Sequence, residues 1–242
     1  MDKKHLFELR LKEENYWWHM NKRRLVLKFL DRLNISNSRI LEVGCGGGLL
    51  SSLLTRAGAN VVATDIMFNA TRSAKDRGVT KTLTFDVGQP WPFKKYSFKA
   101  VIMLDVLEHI ENDIACLHEV RRVLSREGIA LLTVPAHQFL FSGWDKVLGH
   151  HRRYSKSLLQ LAFRKAGFQP ILVSYHNVLS FLPALLLRGK DRLFGCRVES
   201  AEFPDVPETI NKWLKWWGRL ECALISFKLP IGLSFFVVIK SK

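Results

Sequence analysis

Residues 40–50, I-L-E-V-G-C-G-G-G-L-L, constrain the fold of this chain more than any other stretch. Ile40, Leu41 and Val43 make a short apolar run that ends in glycines, and a helix-like leucine pattern follows. A buried parallel strand reads this way where it turns sharply into a helix. Gly44, Gly46, Gly47 and Gly48 open backbone conformations closed to other residues and let a ligand approach the main chain. The amides that open the next helix then point into the crevice at the strand's carboxyl end. Glu42 sets the sign of that ligand: beside a phosphate it repels, beside a cation it attracts. A dinucleotide fingerprint needs a third glycine at position 49, which is Leu49.

Strand-like runs at 39–43, 61–65, 81–85, 100–104 and 129–134 alternate with helical patterns, and further strands are expected at 169–175 and 232–239. This alternation makes a parallel sheet covered on both faces, with ligands at the strands' carboxyl ends. Asn112 or Asp113 is expected to cap a helix ending at Gly128, and Ser155 a helix ending at Gly167. A long polar loop spans 136–154.

The 242 residues suffice for one sizeable core with an appended element. The charge of +15 attracts anions in general, whether nucleic acid, lipid headgroups or a phosphorylated substrate. Cys45, Cys116, Cys196 and Cys222 are widely spaced and read as thiols in a reducing compartment. Residues 1–19 are charged throughout, unlike a secretory signal, and the longest apolar stretches are half of the roughly 20 residues a membrane span needs. The cytoplasm is the expected location, with peripheral membrane association as an added expectation.

The chemistry-bearing residues fall at strand tips. Asp65 ends the second strand, where a carboxylate accepts from ribose hydroxyls or caps a helix. Asp86 ends the third, where an acid accepts from an adenine amino group. D-V-L-E-H-I, residues 105–110, closes the fourth. The order E-V-G-C-G-G-G, Asp65, Asp86, D-V-L-E-H-I and R-V-L-S-R-E-G-I-A-L-L-T-V-P resembles the methyltransferase type 11 group of the class I S-adenosylmethionine-dependent methyltransferases. H-H-R-R-Y-S and the helix to A-G-F extend the resemblance to Phe168. It implies a Rossmann-like, doubly wound α/β fold with a seven-stranded sheet, parallel except for one antiparallel strand near the edge. It also implies S-adenosyl-L-methionine as cofactor and methyl transfer to a small-molecule or lipid-like acceptor, at oxygen.

Carried over by position, Glu42, Gly44, Cys45, Gly46 and Gly48 hold the methionine end. Asp65 and Ile66 meet the ribose, Asp86 and Val87 the adenine, and Leu104 and Asp105 lie beneath the sulfonium. His109, His150 and His151 are candidate bases. Asp105, Glu108 and His109 also resemble a pattern that holds a divalent cation in ubiquinone-pathway O-methyltransferases, but no metal is assigned here.

Residues 1–38 are expected to form a helical lid, 39–178 and 231–242 the core, and 179–230 a helical insertion. In related proteins an N-terminal helix shields the cofactor, so Tyr16, Trp18, Arg23, Arg153 and Tyr154 are candidate lid or substrate residues. A proline-bounded acidic linker at 199–208 precedes a helix with Ile210, Trp213, Leu214, Trp217, Leu220, Leu224 and Phe227 on one face. That stripe is expected to pack on the core and build a roomy apolar acceptor pocket, or to form a dimer face, with an anionic membrane as the competing surface. Nucleic acid is disfavoured because N-P-P-Y and C-x-x-C signatures are absent. A nicotinamide oxidoreductase lacks its third glycine and a Y-x-x-x-K dyad. A catalytically silent membrane scaffold and an RNA methyltransferase remain alternatives, and the oligomeric state is left open.

Overall fold

The computed structural model describes residues 10–194 and 205–241. Cys196, residues 1–9 and most of the acidic linker lie outside the described residues. Seven strands form one sheet in the order β3-β2-β1-β4-β5-β7-β6. They are β1 (Arg39–Val43), β2 (Asn60–Asp65), β3 (Lys81–Thr84), β4 (Phe98–Leu104), β5 (Leu124–Pro135), β6 (Phe168–His176) and β7 (Ser234–Ser241). β7 runs antiparallel to both neighbours and lies one place in from the edge; the remaining ladders are parallel. This is the expected Rossmann-like doubly wound sheet.

The period of two along the strands sends alternate residues to opposite faces. Leu41, Val43, Val101, Met103 and Leu132 pack against Leu117, Val120 and Phe163 of α4 (Asp113–Val123) and α6 (Lys156–Lys165). Ile40, Ile102 and Leu131 face the other way. They meet Leu25, Val26, Phe29 and Leu30 of α1 (Trp17–Arg32) and Leu54 of α2 (Leu49–Arg56). Each such side chain contributes about 1.5–3 kcal/mol when fully buried. The second half of the expected lid helix is therefore core, and only its first half is free to line a site.

Asn112 caps α4 by accepting from the Ala115 amide at 3.0 Å, and Ser155 caps α6 by accepting from the Leu158 amide at 3.1 Å. α4 ends at Val123, and Gly128 lies inside β5, not at a helix terminus. Phe98 pairs with Leu124 across a register shift in β4, and this extends the ladder through residues that read as a helix end. The loop 136–154 contains a short helix, α5 (Gly143–Val147), organised around the fully buried Asp145.

α7 (Phe181–Phe194) and α8 (Glu208–Leu224) connect β6 to β7. α8 is fastened to the core by buried Glu221, whose carboxylate accepts from the amides of Asn177 (2.9 Å) and Val178 (2.8 Å) and from the Trp217 indole (2.7 Å). It crosses α1 closely at Gly218, where an added Cβ would lie 2.0 Å from the Asn21 side chain. Asn21 Nδ2 donates to the Leu214 carbonyl at 3.4 Å, and Arg24 donates to the Lys215 carbonyl at 2.9 Å.

This crossing covers little of the expected apolar stripe, whose Ile210, Trp213 and Leu214 line a cavity instead. The buried face of α8 is Gly218, Glu221 and Cys222. Ile210, Trp213, Leu220, Leu224 and Phe227 are exposed, the last by 81%. The close approach needs a residue without a side chain, so the glycine and not the tryptophans turns toward α1.

Gly218→Ala should lower the unfolding free energy by about 1–3 kcal/mol through overpacking against Asn21. Chemical denaturation measures this, and unchanged stability would mean that the helices separate freely.

Candidate active site

The carboxyl ends of β1, β2, β4 and β5 open into a single cavity of about 1790 Å³. The glycine turn after β1 forms its floor. The Gly44 and Cys45 amides donate to the Thr64 carbonyl at 2.8 and 2.9 Å, which ties the turn to β2. The next two amides are taken by acids: Gly46 donates to Asp65 Oδ2 at 3.0 Å, and Gly47 donates to Glu13 Oε1 at 2.8 Å. Gly48 is left-handed (φ 82°), and an added Cβ there would lie 2.4 Å from the Ala74 backbone. Its role is to let α2 pass α3 (Phe68–Asp76); it does not line the cavity.

Glu42, Gly44, Cys45, Gly46, Asp65, Ile66, Asp86, Val87, Leu104 and Asp105 all line this one hollow. Asp65 accepts from the Met67 amide at 2.9 Å through Oδ1 in a local turn and does not cap the following helix, whose N-cap is Met67. Asp86 is exposed at the rim and accepts from the Gly88 amide at 2.8 Å. Asp105, with φ at 55°, turns back under the cavity. It accepts from the Thr133 hydroxyl at 2.7 Å and from Lys22 of α1 at 2.5 Å.

The far wall is apolar. Trp17, Trp18, Leu179, Pro183, Leu187, Ile210, Trp213 and Leu214, from α1, α7, α8 and the segment before α7, enclose it. Tyr16, Trp18, Arg23 and Arg153 line the cavity. Tyr154 does not: it is fully buried behind the wall, and its hydroxyl donates to Asp113 Oδ2 at 2.9 Å. The hydroxyl is committed to the half-buried Asp113 carboxylate, so Tyr154 is removed from the candidate substrate residues.

The histidines lie together over β4 and β5. His109 and His150 contact edge to face, with ring centroids 4.7 Å apart. His150 Nδ1 lies 2.9 Å from Asp145 Oδ1, and Asp145 also receives Arg153 at 2.8 Å and Arg188 at 2.7 Å. His151 is exposed at the mouth. Glu108 is fully buried with neither carboxyl oxygen hydrogen-bonded among the described residues, and ligand atoms of Glu108, His109 and His150 lie within 4.8 Å of one another. Asp105 stands outside this group because Lys22 engages it.

Residues 16–173 match the family model described as "Methyltransferase domain". This chain belongs to the methyltransferase-domain family. Its curated relatives include a ubiquinone biosynthesis O-methyltransferase of Xanthomonas oryzae pv. oryzae, 30% identical over 133 residues. That match covers 49% of this chain and 56% of the relative. Another, of Dechloromonas aromatica, is 30% identical over 137 residues, covering 48% and 56%. The chain thus spans about half the length of the curated relatives it matches. Among solved structures, a SAM-dependent methyltransferase from Archaeoglobus fulgidus aligns with a TM-score of 0.59 at 15% identity, covering 99% of this chain and 100% of that one. The cyclase SpnF aligns with a TM-score of 0.57 at 19% identity, covering 90% and 80%. The fold alone therefore does not set the reaction.

Four residues of the site escaped the sequence reading: Glu13, Lys22, Asp145 and Arg188. Each acts through a contact far away along the chain, and no local pattern marks such contacts. The carboxylates are also unusual in charge. Burial raises Glu13 to about 7 and Glu42 to about 8, and the two acids reinforce each other in Glu42. Burial also drives Glu108 well above the ordinary carboxylate range, with Asp105 adding repulsion. For Asp105 burial acts upward too, but the Lys22 ammonium more than reverses it and holds the acid ionised. Burial lowers His19 to about 3 and His109 and His176 to about 4.

These shifts fix the sign of a pH dependence. Above about pH 7.5 the lowered histidines are neutral in both folded and unfolded chains, while Glu42, and to a smaller extent Glu13, still holds a proton only when folded. The folded state binds more protons there, so stability falls as pH rises. Thermal denaturation of the ligand-free protein should show a loss of about 1 kcal/mol between about pH 7.5 and 9, much reduced in Glu42→Gln. A flat profile in the unaltered chain would mean that the turn is hydrated.

Proposed function

We propose that this chain binds S-adenosyl-L-methionine in the cavity and transfers its methyl group to an oxygen of an apolar, lipid-like small molecule. The observation that carries the reading is the meeting of Glu42, Asp65 and Asp86, from three adjacent strand ends, in one hollow beside the glycine turn. In it Glu42, Gly44, Cys45 and Gly46 take the methionine end, with Gly48 shaping the turn. Asp65 and Ile66 take the ribose, Asp86 and Val87 the adenine, and Leu104 and Asp105 the floor. The curated relatives' printed function supports oxygen as the acceptor atom.

The bound sulfonium supplies an activated methyl carbon. The protein's part is to align the acceptor oxygen with it, exclude water and remove the acceptor's proton. His150 is our choice of base. Asp145 stays ionised against its two arginines, so His150 donates to it from Nδ1 and keeps Nε2 as proton acceptor. The segment 1–38 then supplies a lid through Trp17, Trp18 and Lys22, the core is 39–178 with 231–242, and the insertion 179–230 completes the acceptor pocket.

A second reading is favoured by the orphaned oxygens of Glu108. A divalent cation held by Glu108, His109 and His150 would act as a Lewis acid on the acceptor hydroxyl. Chelation distinguishes the two: on the base reading turnover survives it, and on the cation reading turnover is lost and returns with added metal.

Among the described residues no helix is long and apolar enough to cross a membrane. The exposed tryptophans of α8, beside Lys212, Lys215 and Arg219, support docking on an anionic membrane as the route by which a lipid-like acceptor arrives. Flotation should be stronger with anionic than with neutral vesicles, and equal flotation would remove this part.

Calorimetry should detect S-adenosylmethionine binding, weakened by about 1–3 kcal/mol in Asp65→Ala through lost hydrogen bonds. Unchanged affinity would take Asp65 out of the site. Binding without transfer to any apolar hydroxyl acceptor would leave a domain that has kept the fold and lost turnover.

A further inference from the structure

We propose that Glu13, from the helical residues just ahead of α1, is the acidic ligand for the ammonium group of the cofactor's methionine portion. The inference rests on the cofactor reading above and deepens it by assigning a recognition residue outside the strand tips.

The geometry of the glycine turn carries it. Glu13 reaches over α2's first turn and accepts from the Gly47 amide through Oε1 at 2.8 Å. Its other oxygen, Oε2, is buried without a hydrogen-bond donor among the described residues. A side chain at position 47 would exclude it, since an added Cβ would lie 2.4 Å from Oε2 and 2.9 Å from Oε1. Gly47 is therefore the variable position of the motif put to use: its missing side chain admits an acid from a distant segment.

The charges around Glu13 ask for a cation. Glu42 and Asp65 approach from β1 and β2, and all three acids line the same cavity. Asp65 uses its oxygens on the Gly46 and Met67 amides, and Glu42 accepts from the Ser51 hydroxyl. The basic groups are less well placed. Arg77 lies 4.0 Å from Glu13 Oε2 and directs its other nitrogen to Glu14 at 3.0 Å. Arg23 donates to the Glu13 main-chain carbonyl at 2.6 Å, not to the carboxylate. A buried acid left one donor short, with two further acids across a hollow, is matched by a ligand bearing a compact cation with several N–H donors. A phosphate would be repelled, and a neutral hydroxyl would leave the charge uncompensated.

Glu13 also belongs to the same continuous segment as Trp17, Trp18 and Lys22. A cationic ligand drawn to it therefore holds the cover over the site at the moment the site is filled.

The test compares two ligands that differ in the amino-acid portion. S-adenosylhomocysteine carries the ammonium group; 5′-methylthioadenosine has the same nucleoside without it. Glu13→Gln keeps an acceptor for the Gly47 amide, and its melting temperature is read first to confirm that the fold persists. Its affinity for S-adenosylhomocysteine should fall about ten- to a hundredfold, while its affinity for 5′-methylthioadenosine stays within roughly twofold. Glu13→Asp should recover part of the loss. Equal weakening of both ligands, no change in either, or tighter S-adenosylhomocysteine binding would overturn the proposal, the last by making Glu13 a plug that the ligand must displace. If the unaltered protein bound neither nucleoside, the cofactor reading itself would fall; if it bound both and Glu13→Gln changed nothing, only the role of Glu13 would fall.

Discussion

The structure depends on how carboxylates are crowded at the ends of β1 and β2. Glu42 is 4% exposed and Asp65 9%, and Glu13 joins them from outside the sheet. Removing several like charges from water costs free energy unless donors or cations compensate. Backbone amides of the glycine turn, one serine hydroxyl and a distant arginine supply part of this. The remainder is met by protonation in the empty protein, and on the reading proposed above by a cationic ligand when the site is filled.

The opposite device operates two strands away. Asp105 is held ionised by Lys22, and Asp145 by Arg153 and Arg188, so that side of the cavity carries its charges in satisfied pairs. Glu108 breaks this pattern, buried and unbonded among the described residues beside two histidines. The cavity therefore has two polar ends of different character, separated by Leu104 and enclosed on the far side by apolar side chains. One end suits a cationic nucleoside, and the other suits the handling of a proton or a metal ion at the acceptor.

Much of this was legible along the chain. The glycine cluster, the acids at strand tips and the alternation of apolar runs gave the sheet and the hollow, because each is a local pattern repeated at short spacing. Asn112 and Ser155 were readable as caps for the same reason. Tyr154 was misread because its sequence neighbours His150, His151 and Arg153 do line the cavity, whereas a hydrogen bond to Asp113 turns its own ring inward. The apolar stripe of α8, part of which lines the cavity, was legible as a face but not in what covers it, because helical periodicity identifies an apolar face without naming its neighbour. Gly218 decided that, by admitting Asn21.

By itself the sequence determined a doubly wound sheet, its family and the residues at the ends of its strands, since these follow from side-chain periodicity and backbone freedom within a few residues. Only the tertiary structure decided that Glu13 meets Gly47, that Lys22 neutralises Asp105 and that Asp145 gathers two arginines and a histidine. Those pairings join residues 34, 83, 8, 43 and 5 positions apart, and charge pairing has no period along a chain. It is fixed by which elements the hydrophobic core brings side by side.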